Sequence, residues 1–126
     1  MKNVSNLAND ILKSAQMFTV KKPLKIKENA GSTRESLQNA KLIHEAGYEL
    51  LDATMAFNKK KANYYLECHF ERDGDIVPWT FKGFALGYGG EGPHGLRDAM
   101  ALWGIDVSDI AFGDKITPEV GIIKLK

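Results

Sequence analysis

The residues with the clearest chemical potential lie in a glycine-rich stretch at residues 87–95, which holds five of the chain's twelve glycines. An apolar, aromatic run precedes it and a short amphipathic stretch follows it. This pattern predicts a strand, a tight turn and a helix. Backbone N–H groups at the start of a helix lack intrahelical partners, and the helix dipole favours negative charge there. The turn therefore predicts an anion-binding site, with a phosphate as the expected group.

Three side chains in this stretch are suited to contact such a ligand. His94, at the second expected helical position, can donate a hydrogen bond to a phosphate or stack on a base. Tyr88 offers an aromatic platform in the same place. Glu91 would repel a phosphate if it pointed inward, but it can accept hydrogen bonds from a ribose or a base edge. The predicted ligand-binding residues are Tyr88, Gly89, Gly90, Glu91, Gly92 and His94.

Catalytic and metal-binding patterns are weak in this sequence. Cys68 and His69 are adjacent in an alternating stretch, so their side chains point to opposite faces and cannot form a dyad. The three histidines are scattered, which predicts no metal site, and we expect no cofactor. Glu91 and Asp98 are candidates for acid–base chemistry; the alternative is that Glu91 complements the helix dipole and Asp98 faces water. We expect a binding protein rather than an enzyme.

Neither of the two common phosphate-binding fingerprints fits the glycine-rich stretch. Gly87, Gly89 and Gly92 satisfy the letters G-x-G-x-x-G, but the βαβ unit that gives this motif its meaning is not predicted. The P-loop pattern needs Lys-Ser or Lys-Thr after its last glycine, and this chain lacks that pair. Because glycine also serves close backbone packing, a purely structural turn is the alternative interpretation.

Size and composition predict a single domain, residues 1–126. Apolar residues make up 44% and charged residues 26% of the chain, which is typical of a globular protein. A net charge of +1 makes nucleic acid an unlikely partner. Cys68 is the only cysteine, which excludes an internal disulfide. With no secretory leader and no apolar run long enough for a membrane span, we expect a cytoplasmic protein, in its own cell or in a host cell.

The N-terminal half predicts two amphipathic helices. Apolar residues recur with helical spacing over residues 3–18, and again over residues 33–58. A capping box at Ser32 and Glu35 opens the second helix, and Gly47 is a weak point inside it. Three lysines after residue 58 would complement the helix dipole. Between the two helices, residues 20–27 alternate lysine with apolar residues, as expected of an edge strand or an extended arm.

A β-hairpin follows these helices. Residues 62–72 alternate apolar and polar side chains, and Asp73-Gly74 is a preferred two-residue hairpin turn. The second strand is predicted over residues 75–86, with an edge position at Pro78 and a bulge at Gly83. A turn at Asp73-Gly74 places all paired apolar residues on one face; the pairs are Phe70 with Val77, Cys68 with Trp79, and Leu66 with Phe81.

The last third of the chain predicts one short helix and one strand. Pro93 suits the first helical position, and Gly104 suits the left-handed position after the helix. Residues 120–126 predict a short closing strand. The whole chain thus predicts an α+β fold: two N-terminal amphipathic helices packed on a small antiparallel sheet, with the glycine-rich turn leading into a third short helix.

Residues 73–103 resemble an uncharacterised family of short prokaryotic and virus-borne proteins. The hallmark of that family is a hydrophobic strand, then Gly-Tyr-Gly-Gly-Ser-Gly-Pro, then a Leu/Ala-rich helix. This chain has Gly87-Tyr88-Gly89-Gly90-Glu91-Gly92-Pro93, followed by Leu96, Ala99 and Met100. Glu91 stands where the family usually has a small hydroxyl residue. The resemblance covers about a quarter of the chain and implies the strand–turn–helix element; it brings no activity with it.

Two functions follow from these observations. The leading hypothesis is a small protein that binds an anionic ligand, with a nucleotide favoured, through residues 87–95. It would sense or sequester a nucleotide signal, by analogy with virus-encoded defence inhibitors. The alternative is a protein–protein module, such as an inhibitor or a virion-associated subunit, whose helices 3–18 and 33–58 carry the interface, with a homo-oligomer as one partner. A nucleotide-processing enzyme that uses Glu91, His94 or Asp98 is the least favoured class.

Overall fold

The computed structural model describes residue 26, residues 30–113 and residues 118–126. Within them lie the helices α1 (Thr33–Glu45), α2 (Glu91–Ala101) and α3 (Ser108–Phe112) and the strands β1 (Glu49–Asn58), β2 (Asn63–Arg72), β3 (Asp75–Phe81) and β4 (Val120–Lys124). The strands form one antiparallel sheet in the order β3-β2-β1-β4. The predicted helix at 3–18 and, apart from residue 26, the arm at 20–27 lie outside the described residues.

The predicted arrangement of two N-terminal helices on a sheet is wrong. The fold is α+β, but the helix predicted over 33–58 ends at Glu45, and the chain continues as strand β1. Gly47 has a φ of +88°, and its N–H donates to the His44 carbonyl at 3.0 Å. This is the left-handed glycine that ends a helix. The three lysines expected after a helix therefore lie in the turn between β1 and β2.

A β-bulge explains why β1 has the sequence pattern of a helix. The pairing of β1 with β2 shifts between Leu50 and Asp52, so the buried side chains are Leu50 and then Ala53, Met55 and Phe57. The step of three residues from Leu50 to Ala53 imitates helical spacing. The two-residue steps that follow it are those of a strand with one face buried.

The start of α1 is capped as predicted. The Ser32 hydroxyl accepts a hydrogen bond from the Glu35 N–H at 3.1 Å. The same hydroxyl donates to the Glu35 carboxylate at 3.0 Å. The Glu35 carboxylate thus reaches back to the N-cap residue Ser32.

The register of the β2–β3 hairpin is confirmed. Asp73 and Gly74 have φ values of +52° and +87°, as this type of two-residue turn requires. β3 is an edge strand, as Pro78 predicts. The strand ends at Phe81, however, so Gly83 lies beyond it and the predicted bulge is absent. The observed pairs are Phe70 with Val77, Cys68 with Trp79, and Leu66 with Phe81.

The C-terminal elements follow the prediction in outline. Gly104 has a φ of +76°, which confirms the left-handed residue after α2. Residues 105–112 alternate only at first, and their second half forms the short helix α3. The closing strand is confirmed as β4, which pairs with β1 at the edge of the sheet.

The core lies between one face of the sheet and the helices α1 and α2. Burial of a large apolar side chain stabilises the folded state by about 1.5–3 kcal/mol, so this layer fixes both helices on the sheet. None of the described helices has the length and apolar character needed to cross a membrane. The buried side chains include Met55, Leu66, Phe70, Phe81, Ile43, Leu96 and Met100.

Candidate functional site

The first turn of α1 fixes the chain just before the glycine-rich turn. The Gly83 N–H donates to the Ser36 hydroxyl at 3.0 Å, and the Thr33 hydroxyl donates to the Gly83 carbonyl at 2.7 Å. A Cβ at Gly83 would collide with the Ser32 carbonyl and the Ser36 hydroxyl. This close approach therefore requires glycine, and it holds the segment after β3 against α1.

The glycine-rich turn leads into α2, which begins at Glu91 rather than at Pro93. Its N-cap residue is Gly90, which has no side chain, and no side-chain hydrogen bond caps this end of the helix among the described residues. Pro93 carries no N–H. The N–H groups of Glu91 and Gly92 thus point out of the helix end, where the dipole is positive.

Tyr88 lies over this turn. A Cβ at Gly90 would collide with the Tyr88 ring, and a Cβ at Gly92 would lie 3.3 Å from the Tyr88 hydroxyl and 2.8 Å from the Ala85 Cβ. Glycine at both positions therefore lets the ring rest on the start of α2. Tyr88 as a whole is nevertheless 49% exposed, so part of its surface is available to a ligand.

These elements border a cleft of about 310 Å³ between the start of α1, the β1–β2 turn and the start of α2. This volume falls at the lower end of the range of small-molecule sites, about 300–1,000 Å³. The polar side chains that line it are Thr33, Tyr64, Lys82, Tyr88 and Glu91, and the backbone of Gly92 completes the wall.

The cleft carries both signs of charge and two phenol groups. Lys82 and Glu91 are exposed, and neither forms an ion pair with any described residue. Burial raises the pKa of Tyr64 above its ordinary value, and the nearby Tyr88 raises it further. At neutral pH the Tyr64 hydroxyl is therefore protonated and able to donate a hydrogen bond.

The structure brings together only part of the predicted site. Tyr88, Glu91 and Gly92 line the cleft, whereas Gly89 and Gly90 precede α2 without lining it. The His94 ring instead packs on the Phe112 ring, with 4.6 Å between the centroids. His94 therefore does not line the cleft with Tyr88 and Glu91, although it lies in the same stretch of sequence.

Lys82, Tyr64 and Thr33 are cleft residues that the sequence did not reveal. They come from the end of β3, the start of β2 and the start of α1. Tyr64 belongs by alternation to the apolar face of its strand, which predicts a core residue. The contact of Gly83 with α1 brings Thr33 beside the segment that leads to the glycine-rich turn.

Other reactive side chains do not form a second catalytic constellation. Cys68 is buried, and its pKa is raised, first by burial and then by the carboxylates of Asp52 and Glu67. His69 pairs with Asp52 on the opposite face of the sheet, with 2.7 Å between Nδ1 and Oδ1. In the part of the chain that the structure describes, no group of three or more His, Cys, Asp or Glu side chains is placed to hold a metal ion.

Comparison with protein-family models, with curated proteins and with solved structures finds no match for this chain. The resemblance of residues 73–103 to a family with a strand–turn–helix element therefore stays a prediction. The function has to be inferred from the chemistry of the cleft itself.

Proposed function

We propose that this protein binds a small anionic ligand, with a nucleotide as the favoured class, in the cleft at the start of α2. The observation that carries the proposal is the position of Lys82 in the same cleft as the uncapped start of α2. An ammonium group and helix N-terminal N–H groups both bind phosphate oxygens, by charge-assisted hydrogen bonds and through the helix dipole.

The remaining cleft residues favour a nucleotide over a bare anion. Glu91 also lines the cleft, and its carboxylate opposes a second negative charge nearby. The same carboxylate can accept hydrogen bonds from ribose hydroxyls or from base N–H groups. The half-exposed Tyr88 ring offers a surface on which a base can stack, a contact worth about 1–3 kcal/mol per base. A ligand with a phosphate at one end and donors at the other satisfies both charges.

Binding without turnover is the mode that the geometry supports. His94 packs on Phe112, and the Asp98 carboxylate accepts from Arg97 at 3.0 Å. These two side chains therefore do not join Glu91 in the cleft, and acid–base catalysis needs such groups within reach of one substrate. A protein that binds a nucleotide in this way would sense it or sequester it.

The alternative, an interaction module built on helices 3–18 and 33–58, has less support. The second of these helices ends at Glu45, and the remainder of that range is strand β1 at the centre of the sheet. The continuous helical surface on which that interface depended is therefore absent from the described residues.

Thermal unfolding against a ligand panel tests the proposal. The panel contains adenosine and guanosine mono- and diphosphates, cyclic nucleotides and inorganic phosphate. A ligand at about 100 times its Kd stabilises the native state by about 2.7 kcal/mol, which raises the midpoint by several degrees in a domain of this size. We expect at least one nucleotide to raise the midpoint more than inorganic phosphate does. A panel without any shift contradicts the proposal.

Two lysine variants then locate the site. Lys82→Gln removes the cation from the cleft, whereas Lys41→Gln removes an exposed cation from α1, outside the cleft. Loss of a charge-assisted hydrogen bond costs about 1.5–3 kcal/mol, so Lys82→Gln should weaken nucleotide binding by about tenfold or more. Lys41→Gln should bind as the parent protein does. Equal affinities for both variants would place the ligand elsewhere.

A further inference from the structure

Strand β4 lies at one edge of the sheet that the described residues form. It pairs with β1 on one side, and the strand order places no described strand on its other side. An open edge carries unpaired N–H and C=O groups that can add a strand from another chain.

The hydrogen bonds to β1 show which backbone groups of β4 face outward. The Lys59 N–H donates to the Glu119 carbonyl at 2.7 Å, and the Leu125 N–H donates to the Ala53 carbonyl at 2.8 Å. Antiparallel ladders alternate between residues that bond to the neighbouring strand and residues that bond away from it. The inward residues are therefore 119, 121, 123 and 125, and the outward ones are Val120, Ile122 and Lys124.

The same three residues place their side chains on the face of the sheet opposite the helices. Val120 is 63% exposed and Ile122 is 75% exposed. Ile122 lies opposite Ala56 of β1. Ala56 in turn lies opposite Tyr65 of β2, which is 40% exposed. This apolar patch, formed by Tyr65, Ala56, Ile122 and Val120, thus reaches the open edge rather than lying at the centre of the face.

The opposite edge of the sheet is less suited to strand addition. β3 contains Pro78, which has no N–H to donate, in the middle of the strand. Arg72 and Asp75 flank the two-residue turn and form a hydrogen-bonded pair, and such pairs alternate along the ladder. The pair of His69 with Pro78 is therefore not hydrogen-bonded, and the missing donor lies on the side of β3 that faces away from β2. No proline lies within β4.

We propose that β4 pairs with the β4 of a second copy of this chain, antiparallel about a two-fold axis at Ile122. This register opposes Ile122 to Ile122 of the second copy, and Val120 to Lys124. All outward N–H and C=O groups of the three residues then bond, which forms about six backbone hydrogen bonds. The two four-stranded sheets join into one, and the two apolar patches become continuous across the axis.

Charge and hydrogen bonding select this register over its neighbours. A two-fold axis at Gly121 would oppose Lys124 to Pro118, which has no N–H to donate. A two-fold axis at Ile123 would oppose Ile122 to Lys124 and leave Val120 without an apolar partner. The axis at Ile122 opposes no two like charges, and an isologous contact of this kind closes at the dimer. No residue of β4 lines the cleft, so dimerisation and ligand binding can be tested by separate variants.

Cysteine cross-linking tests the two-fold axis at Ile122. In a hydrogen-bonded antiparallel pair the Cα atoms lie about 5.5 Å apart, within the range of a disulfide, about 4.4–6.8 Å. We expect Ile122→Cys to form a covalent dimer under mild oxidation. Lys124→Cys is the matched control, since in this register the two copies of residue 124 lie about 13 Å apart along the strands. Cys68 is buried and does not compete.

A second variant pair measures the association without a cross-link. The Ile122 N–H points away from β1, so Ile122→Pro should leave the monomer folded while it removes the central hydrogen bonds of the dimer. Ile122→Val keeps that N–H and most of the apolar surface. By sedimentation equilibrium we expect the parent and Ile122→Val to dimerise with rising concentration and Ile122→Pro to stay monomeric, with matching far-UV circular dichroism. A parent protein that stays monomeric, or equal cross-linking of the two cysteine variants, overturns the proposal.

Discussion

At the scale of single residues, the cleft depends on side chains that are close in space and unrelated in sequence. Lys82 supplies the cation and Glu91 the acceptor, while Tyr64 and Tyr88 supply donors and an aromatic surface. Serine, threonine, aspartate and asparagine are the usual N-cap residues. The N-cap of α2 is Gly90, which has no side chain to accept a hydrogen bond from the first N–H groups of the helix.

The Tyr64 hydroxyl gives a prediction about pH. Burial and the neighbouring Tyr88 both raise the pKa of Tyr64, so the folded state holds this proton more tightly than the unfolded state does. The free energy of unfolding should therefore fall as pH rises from about 10, the unfolded pKa, to the higher folded pKa. Below about pH 10 the contribution of Tyr64 to the free energy of unfolding does not change with pH.

Nuclear magnetic resonance of tyrosine rings labelled with carbon-13 can follow this titration residue by residue. We expect the Tyr64 midpoint to lie above that of a free tyrosine and to decrease in Tyr88→Phe, which removes the second ionising phenol. A part of the shift should persist in this variant, because burial is the larger cause. A Tyr64 midpoint unaffected by Tyr88→Phe would show that the two hydroxyls do not share the cleft.

At the scale of elements, the contact between α1 and Gly83 positions the site. Two hydroxyls of the first turn of α1 bond to the N–H and carbonyl of Gly83, and Ser36 is buried as it does so. The segment from Gly83 to α2 is thereby anchored at its start, while Leu96 and Met100 anchor α2 in the core. The glycine-rich turn lies between two fixed points.

Two glycine variants test this anchoring. Gly83→Ala forces a Cβ into the Ser32 carbonyl, and we expect a loss of about 1–3 kcal/mol in the free energy of unfolding. Gly89→Ala is the matched control, since a Cβ at that position has no atom within 4 Å, and its effect should stay within about 0.5 kcal/mol. Urea denaturation measures both. Similar losses in the two variants would contradict the role assigned to Gly83.

At the scale of the whole molecule, local patterns in the sequence predicted single elements better than their arrangement. The β2–β3 register followed from Asp73-Gly74 and strict alternation, because both depend on neighbouring residues. The helix predicted over 33–58 was wrong because the bulge after Leu50 reproduces helical spacing, and Gly47 was interpreted as an interruption rather than as the end of the helix. The cleft escaped prediction because Thr33, Tyr64 and Lys82 meet only through tertiary contacts.

The two proposed surfaces share no residues. The cleft adjoins the end of β3, and the proposed dimer contact uses β4. Disruption of the dimer by Ile122→Pro should leave nucleotide affinity unchanged, since no cleft residue lies on β4.

The measurement that tests the binding site most directly is an amide chemical-shift titration with the nucleotide that most raises the unfolding midpoint. We predict the largest changes at Glu91, Gly92, Tyr88 and residues 82–85, with little change at the second, smaller cleft lined by Arg97, Ile105 and Ser108. Largest changes at that second cleft, or changes spread evenly over the surface, would contradict a binding site at the start of α2.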